Sequence, residues 1–324
     1  MRWLVLFALV AACAGQVRAQ ELYFLGGGMK DTDTHESSYS WQLEYSEGLG
    51  EHFATTLSYL NEGHVTNHHR DGTSLQLWTR TNLLDRRLSL AAGIGPYFYF
   101  DTAGIGSNGT YTNDHGWKGM ASLAATWYTE SRVLLHLRTN WVAIGSKFDT
   151  LSVVAGLGYQ LEAPATPGPA PRDPPQRLQV TGHELTFYAG RTIVNSFNSE
   201  HSASLCVEYR KGLLPYLQGS VSWLYEGDTR LVRRNGLIAE AWAVRQFFDD
   251  RLILGAGGGI YTSLNHYDGQ SNGSERNRLF SGIVSLMAGY EIVPRWHLRA
   301  TWNRIVTNYD RDTDVIMGGV GYSL

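Results

Sequence analysis

What the chain has little of excludes several protein classes. It has two cysteines in 324 residues. One of them, Cys13, falls in an apolar leader, so a disulfide-stapled scaffold is ruled out. After that leader no apolar run reaches the ~20 residues that a membrane-spanning helix needs. Bulk positive charge is missing as well: 27 Lys and Arg stand against 30 Asp and Glu, a formal net charge of −3. A nucleic-acid partner is therefore not expected. Proline is scarce outside one stretch, because Pro164, Pro167, Pro169, Pro171, Pro174 and Pro175 all lie between Glu162 and Gln176. The glycine runs Gly93–Gly95 and Gly255–Gly259 sit inside strand patterns rather than before a helix, so they do not form a phosphate loop. No cofactor is expected.

Glycine and aromatics are abundant: 36 Gly, 10 Trp, 18 Tyr and 11 Phe. That mixture suits many alternating strands with apolar, aromatic outer faces. The N-terminus reads as an export signal: Arg2 supplies charge, Trp3–Cys13 the apolar core, and Val17-Arg18-Ala19 a small-residue cleavage site before Gln20. Residues 1–19 are thus expected to be removed, leaving Cys206 as the sole mature cysteine. A rival reading takes Val10-Ala11-Ala12-Cys13 as a lipoprotein box with Cys13 lipidated.

The chain repeats itself. Ser58-Tyr59-Leu60-Asn61-Glu62-Gly63-His64 returns as Ser222-Trp223-Leu224-Tyr225-Glu226-Gly227-Asp228, and Gly72 and Trp78 return as Gly236 and Trp242, all 164 positions on. His136-Leu137-Arg138 matches His297-Leu298-Arg299, and Asp149-Thr150 matches Asp312-Thr313. The repeats span Glu21–Leu161 and Glu184–Leu324, joined by a proline-rich linker over residues 162–183.

Each repeat holds eight alternating segments. In the first they are Glu21–Lys30, Ser38–Ser46, His52–Glu62, Gly72–Thr81, Leu88–Asp101, Trp117–Thr129, Arg132–Ile144 and Thr150–Leu161. Period-2 alternation separates an apolar face (Leu135, Leu137, Thr139, Trp141) from a polar one (His136, Arg138, Asn140). Long polar connections after odd segments alternate with shorter ones after even segments. This is the rhythm of a transmembrane antiparallel β-barrel with its termini in the periplasm. The C-terminus keeps an aromatic residue at Tyr322 but ends on Leu324. Ala91, Gly93, Gly95, Gly255, Gly257 and Gly259 fall on the polar side and suggest space there. That points to one ring of about 16 strands, with two tandem eight-strand barrels as the alternative.

Three groups of residues are candidates for function. Glu44, Glu62, Gln76, His136, Arg138 and Asn140, with Glu208, Glu226, Glu240, His297, Arg299 and Thr301, are placed to line a lumen. They would form a structural ion-pair network or a charge ladder that selects solutes. His64, His68, His69 and Asp71 are dense enough to suggest a divalent-metal site, or else a polar loop. In the second copy these four become Asp228, Val232, Arg233 and Asn235. The third concerns His136-Leu137-Arg138 on the seventh segment. In length, loop rhythm and Gly/aromatic strands each repeat resembles small eight-strand outer-membrane barrels, OmpW-like proteins and the lipid A 3-O-deacylase family. The deacylase resemblance implies a His-x-Ser-Asn nucleophile on that strand, but Arg138 and Arg299 stand where the serine belongs. An arginine cannot attack an ester, so the hydrolase mechanism does not carry over.

The expected protein is an exported outer-membrane barrel serving as a conduit for a polar substrate, with polysaccharide export as one cargo. A lipid A-modifying hydrolase and a plugged barrel presenting surface loops are the alternatives. Its partners would be outer-membrane lipid, the barrel-assembly machinery and a periplasmic export component.

Overall fold

The computed structural model describes residues 20–105, 110–143, 149–161, 166–169, 182–196, 198–214, 216–248, 250–264 and 280–324. They form sixteen antiparallel strands and, among the described residues, no helix. The first eight are β1 (Gln20–Asp31), β2 (Ser37–Gly48), β3 (Phe53–Val65), β4 (His68–Leu83), β5 (Leu88–Ile105), β6 (Thr110–Tyr128), β7 (Val133–Ala143) and β8 (Thr150–Gln160). The second eight are β9 (His183–Val194), β10 (His201–Leu214), β11 (Leu217–Asp228), β12 (Arg233–Phe247), β13 (Leu252–Ser263), β14 (Phe280–Val293), β15 (Trp296–Val306) and β16 (Thr313–Ser323).

Neighbouring strands pair in sequence order, and each set closes on itself. β1 pairs with β8 from Glu21↔Gln160 to Asp31↔Thr150, and β9 with β16 from Glu184↔Ser323 to Val194↔Thr313. The chain therefore forms two closed eight-strand barrels rather than one ring of sixteen. Each barrel is its own compact unit, and the division falls within the proline-rich stretch.

The glycines that suggested an open lumen do face inward, but the space they leave is occupied. Trp78 lies directly across the ladder from Gly93, and Trp242 from Gly257. A β-carbon on either glycine would collide with the indole opposite. Both rings are buried and anchored alike, Trp78 Nε1 donating to Thr56 Oγ1 and Trp242 Nε1 to Ser220 Oγ, each at 2.9 Å. A ring of eight strands encloses only enough room for side chains, and here the indoles take it.

The burial pattern inverts that of a soluble protein. Glu44, Gln76, Arg138, Glu208 and Arg299 are buried, while Leu77, Ile94, Leu123, Leu137, Phe187, Leu237 and Ile260 are exposed. Lipid on the outside and polar satisfaction on the inside account for both halves of this pattern, so these are transmembrane barrels. Apolar packing inside is local: Tyr23, Leu25, Tyr128, Leu134 and Val154 cluster in barrel 1. In barrel 2 Cys206 joins Tyr188, Leu224, Ile238, Tyr261 and their neighbours.

The glycine–tryptophan fit gives a direct test. Gly93→Val or Gly257→Val is expected to cost about 1–3 kcal/mol by overpacking, read as a lower urea midpoint for the folded barrel in micelles. Gly26→Ala, whose β-carbon would meet nothing within 4 Å, is expected to leave that midpoint in place. Equal midpoints for all three would reject the fit.

Candidate functional site

Two polar layers cross each barrel. The layer nearer the long loops starts from a bulge at the end of β3. The β3–β4 ladder runs from Asn61↔Asp71 to His64↔His69, one extra residue on β3, and Gly63 takes a φ of 71° to absorb it. The second copy repeats this, from Tyr225↔Asn235 to Asp228↔Arg233, with Gly227 at a φ of 84°. Beside the bulge Glu62 turns inward and meets Arg70 of β4: Nη2 donates to Oε1 at 2.8 Å and Nε to Oε2 at 2.5 Å. Tyr97 OH donates to Glu62 Oε2 at 2.9 Å, and Arg70 Nη2 reaches Thr150 Oγ1 at 2.9 Å. In barrel 2 Arg234 donates to both Glu226 oxygens at 2.9 and 2.8 Å and to Thr313 Oγ1 at 3.1 Å. Both carboxylates are fully buried. Bidentate pairing with further hydrogen bonds is the condition under which such burial is tolerated.

The middle layer differs between the copies. In barrel 1 Arg138 of β7 donates to Glu44 of β2 and Gln76 of β4, and its Nε to Asn140 Oδ1 at 2.5 Å. Its guanidinium lies 4.7 Å from the Trp78 ring centre. Asn140 Nδ2 continues the net to Gln42 Oε1 and Ser152 Oγ. In barrel 2 Arg299, the counterpart of Arg138, points toward the short turns and binds Glu184 of β9, with Nη2 to Oε2 at 2.7 Å. Glu208, the counterpart of Glu44, is taken instead by Arg210, which stacks 4.2 Å from the Trp242 ring centre. Glu240 accepts from Ser285 Oγ at 2.6 Å, and Thr301 Oγ1 donates to Asn303 Oδ1 at 2.9 Å. His136 Nδ1 bonds Thr126 Oγ1 at 2.8 Å, while His297 lies 3.4 Å from Glu184.

All twelve residues read from the sequence as lumen candidates face inward and are buried. Trp78 and Trp242 recur at the same spacing, as do Arg70 and Arg234, which also stand 164 positions apart, but recurrence does not reveal what they touch. Arg210 and Glu184 were missed, because their partners come from strands distant in sequence or from a switch of pairing between copies.

Below the middle layer barrel 1 keeps a cavity of about 30 Å³, lined among others by Glu21, Glu44, Ser89, Arg80, Thr126 and His136. Among the described residues His136 Nε2 and Ser89 Oγ have no hydrogen-bond partner, and room for one or two waters lies beside them. Part of the proline-rich stretch packs at this end: Gln160 Nε2 donates to Gly168 O at 3.1 Å and Arg86 Nη2 to Pro169 O.

The four metal candidates do not converge. His64 stacks on His69 with centroids 4.0 Å apart, His68 Nδ1 pairs with Asp101 Oδ2 at 2.7 Å, and Asp71 accepts from Tyr59 OH at 2.8 Å. His64, His69 and Asp71 share one face of the sheet, where the two rings stack on each other and Tyr59 takes Asp71, while His68 faces the other way. Among the described residues no three His, Cys, Asp or Glu side chains are placed to hold a metal ion. His68 belongs to the part of β4–β6 that extends past the nine to eleven residues a tilted strand needs to cross a bilayer. There its hydrogen bond to Asp101 outweighs partial burial and holds the imidazolium above the usual histidine range.

No known protein family and no curated protein matches the chain. Among solved structures, the N-terminal barrel domain of Pseudomonas aeruginosa OprF is similar at 14% identity and a TM-score of 0.36, covering 44% of this chain and 98% of that one. A de novo designed transmembrane β-barrel covers 46% of this chain and 100% of its own, at 11% identity and a TM-score of 0.33. The Ralstonia pickettii toluene transporter TbuX covers 94% of this chain and 89% of its own, at 10% identity and a TM-score of 0.25.

Two outcomes follow from the geometry. Glu62→Gln or Glu226→Gln strands a buried arginine and is expected to cost about 3–5 kcal/mol, whereas Glu51→Gln, at an exposed turn, should change unfolding little; equal effects would reject the layer. The His68–Asp101 contribution is complete below the unfolded histidine value and is lost as pH rises through the raised folded value. The protection factor of amides at the start of β4, with the intrinsic pH dependence of exchange divided out, is therefore expected to fall across that rise in the wild type. In Asp101→Asn the same step should vanish.

Proposed function

We propose that the chain is an integral outer-membrane protein whose two barrels are conduits for small polar solutes, each shut in this structure by interior ion pairs. The observation that carries this reading is that one arginine has two resting places. Arg138 binds a carboxylate on β2, Glu44, while its counterpart Arg299 binds one on β9, Glu184. Barrel 1 retains the equivalent of Glu184 as Glu21, which is held by the Tyr23 and Tyr128 hydroxyls and borders the cavity. Exchanging one carboxylate for another keeps the arginine paired throughout, and the carboxylate it leaves is neutralised by taking up a proton, since an unpaired buried charge is the expensive state. A polar lumen with re-pairable charges suits a gated path better than an inert filling would require.

The width of the rings bears on cargo. Eight strands leave room for side chains or one small molecule, so small solutes fit the proposal and a polysaccharide strand does not. Long loops at one end and short turns at the other support insertion with the loops outside, the barrel-assembly machinery being the partner for insertion. The hydrolase reading lacks support on β7 and β15, since Arg138 and Arg299 hold the serine position and both are engaged in ion pairs.

A second reading, an anchor that presents its long loops, is favoured by one observation: both layers fill the section in each barrel. Planar-bilayer recording of the refolded mature chain separates the two. A conduit is expected to show rare, small openings that become frequent in Arg138→Ala. Silence in both proteins, with heat-modifiable migration proving the fold, would leave the anchor.

A further inference from the structure

The outer face of barrel 2 carries charge where a lipid-facing surface should carry none. Four residues on neighbouring strands stand in one cross-strand row: Trp302 of β15, Ile316 of β16, Arg191 of β9 and Ala203 of β10. All belong to the outward alternation, and Arg191 is exposed. One step nearer the long loops the row reads Arg304, Asp314, Ile193 and His201. Asp314 is already committed: Arg304 donates to its two oxygens at 2.9 and 2.7 Å, and Trp302 Nε1 donates at 3.0 Å. Glu200, at the neighbouring loop, is held by Arg230 at 2.9 Å. Among the described residues Arg191 has no hydrogen-bond or ion-pair partner, and the two arginines outnumber the one aspartate between them.

Depth gives this surplus its meaning. Toward the short turns the same strands present Phe187, Val320, Leu298 and Leu205, all large, apolar and exposed. Arg191 stands at the upper rim of that band, level with the indole of Trp302, where aromatic girdles meet headgroups. A guanidinium there has a fork of donors that matches a phosphate in two-point fashion. In barrel 1 Gly28, Ala143 and Leu151 occupy the positions of Arg191, Arg304 and Asp314, and the exposed Lys30 stands at the position of Ile193, so the arginine arrangement belongs to barrel 2.

We infer that the Arg191 face of barrel 2 binds the phosphate of a phosphorylated glycolipid in the outer leaflet, with Trp302 beside the sugar. This rests on the outer-membrane placement with the long loops outside. The test is native mass spectrometry of the full mature chain, refolded in detergent and offered three probes in turn: diphosphoryl lipid A, the same glycolipid without phosphates, and phosphatidylglycerol. The wild type is expected to retain one diphosphoryl lipid A. Arg191→Gln should lower that bound fraction about tenfold, the loss of a charge-assisted hydrogen bond, and Arg191→Lys should lower it less. The phosphate-free probe and phosphatidylglycerol should be retained weakly. Undiminished binding in Arg191→Gln with heat-modifiable folding intact, or equal retention of either comparison lipid, overturns the inference. Carbonate-resistant recovery of the wild type with outer membranes is read separately, so loss of the placement and loss of the lipid site are told apart.

Discussion

The closure of eight strands into a ring is the constraint from which the rest of this structure follows. Such a ring has no edge and needs no partner, but its interior is one side chain deep from every wall. A charge pointing inward therefore cannot stay hydrated as it would in a wide pore. It must find its partners among the other side chains of the same ring. Glu62 finds Arg70 and Glu226 finds Arg234, and each pair recruits a threonine from across the barrel, Thr150 or Thr313. The geometry is the same in both barrels because it depends on a bulge, and the bulge depends on Gly63 and Gly227 holding a positive φ that other residues adopt at a cost.

The middle layer had more freedom. Its arginines sit on regular strand with no bulge to fix their direction, so each can reach toward the loops or toward the turns. Barrel 2 has Arg210 where barrel 1 has Ser46, and its guanidinium takes both Glu208 and the face of Trp242. Arg299 pairs with Glu184 instead. Barrel 1 has no such substitute, and Arg138 carries Glu44, Gln76 and the Trp78 face together. One layer is thus fixed by backbone and the other by competition between side chains.

Much of this was legible in the sequence, for a definite reason. Alternation with a period of two assigns each residue to a face whatever ring the strand joins, so Glu44, Arg138 and their copies were read as inward before any pairing was known. The number of strands in a ring is a different kind of fact. It depends on which strand meets β1, and β8 is set by shear and volume rather than by any local pattern. Gly93 and Gly257 misled because a missing side chain reads as space, although a glycine opposite a tryptophan is the opposite. The recurrence of Trp78 with Gly93 and of Trp242 with Gly257, both at the same spacing, held the clue. Likewise the string His64, His68, His69 and Asp71 does not show that His68 turns to the other face and pairs with Asp101, nor that Asp71 is taken by Tyr59.

The two copies together separate architecture from specialisation more cleanly than either could alone. Positions that stayed the same, Glu62/Glu226, Arg70/Arg234, Gly72/Gly236 and Trp78/Trp242, all face inward and hold the ring filled and paired. Positions that diverged include the outward rim near the long loops, where barrel 1 carries the His64–His69 stack and barrel 2 carries Arg191 and the Arg304–Asp314 pair. Inside a closed ring a charge must find its partner among the side chains already there, as Arg210 does in Glu208. On the outer rim the surrounding headgroups can supply the counter-charge, so a single substitution suffices. Change at the rim is therefore the less costly route by which such a barrel takes a new partner, and it leaves the interior untouched.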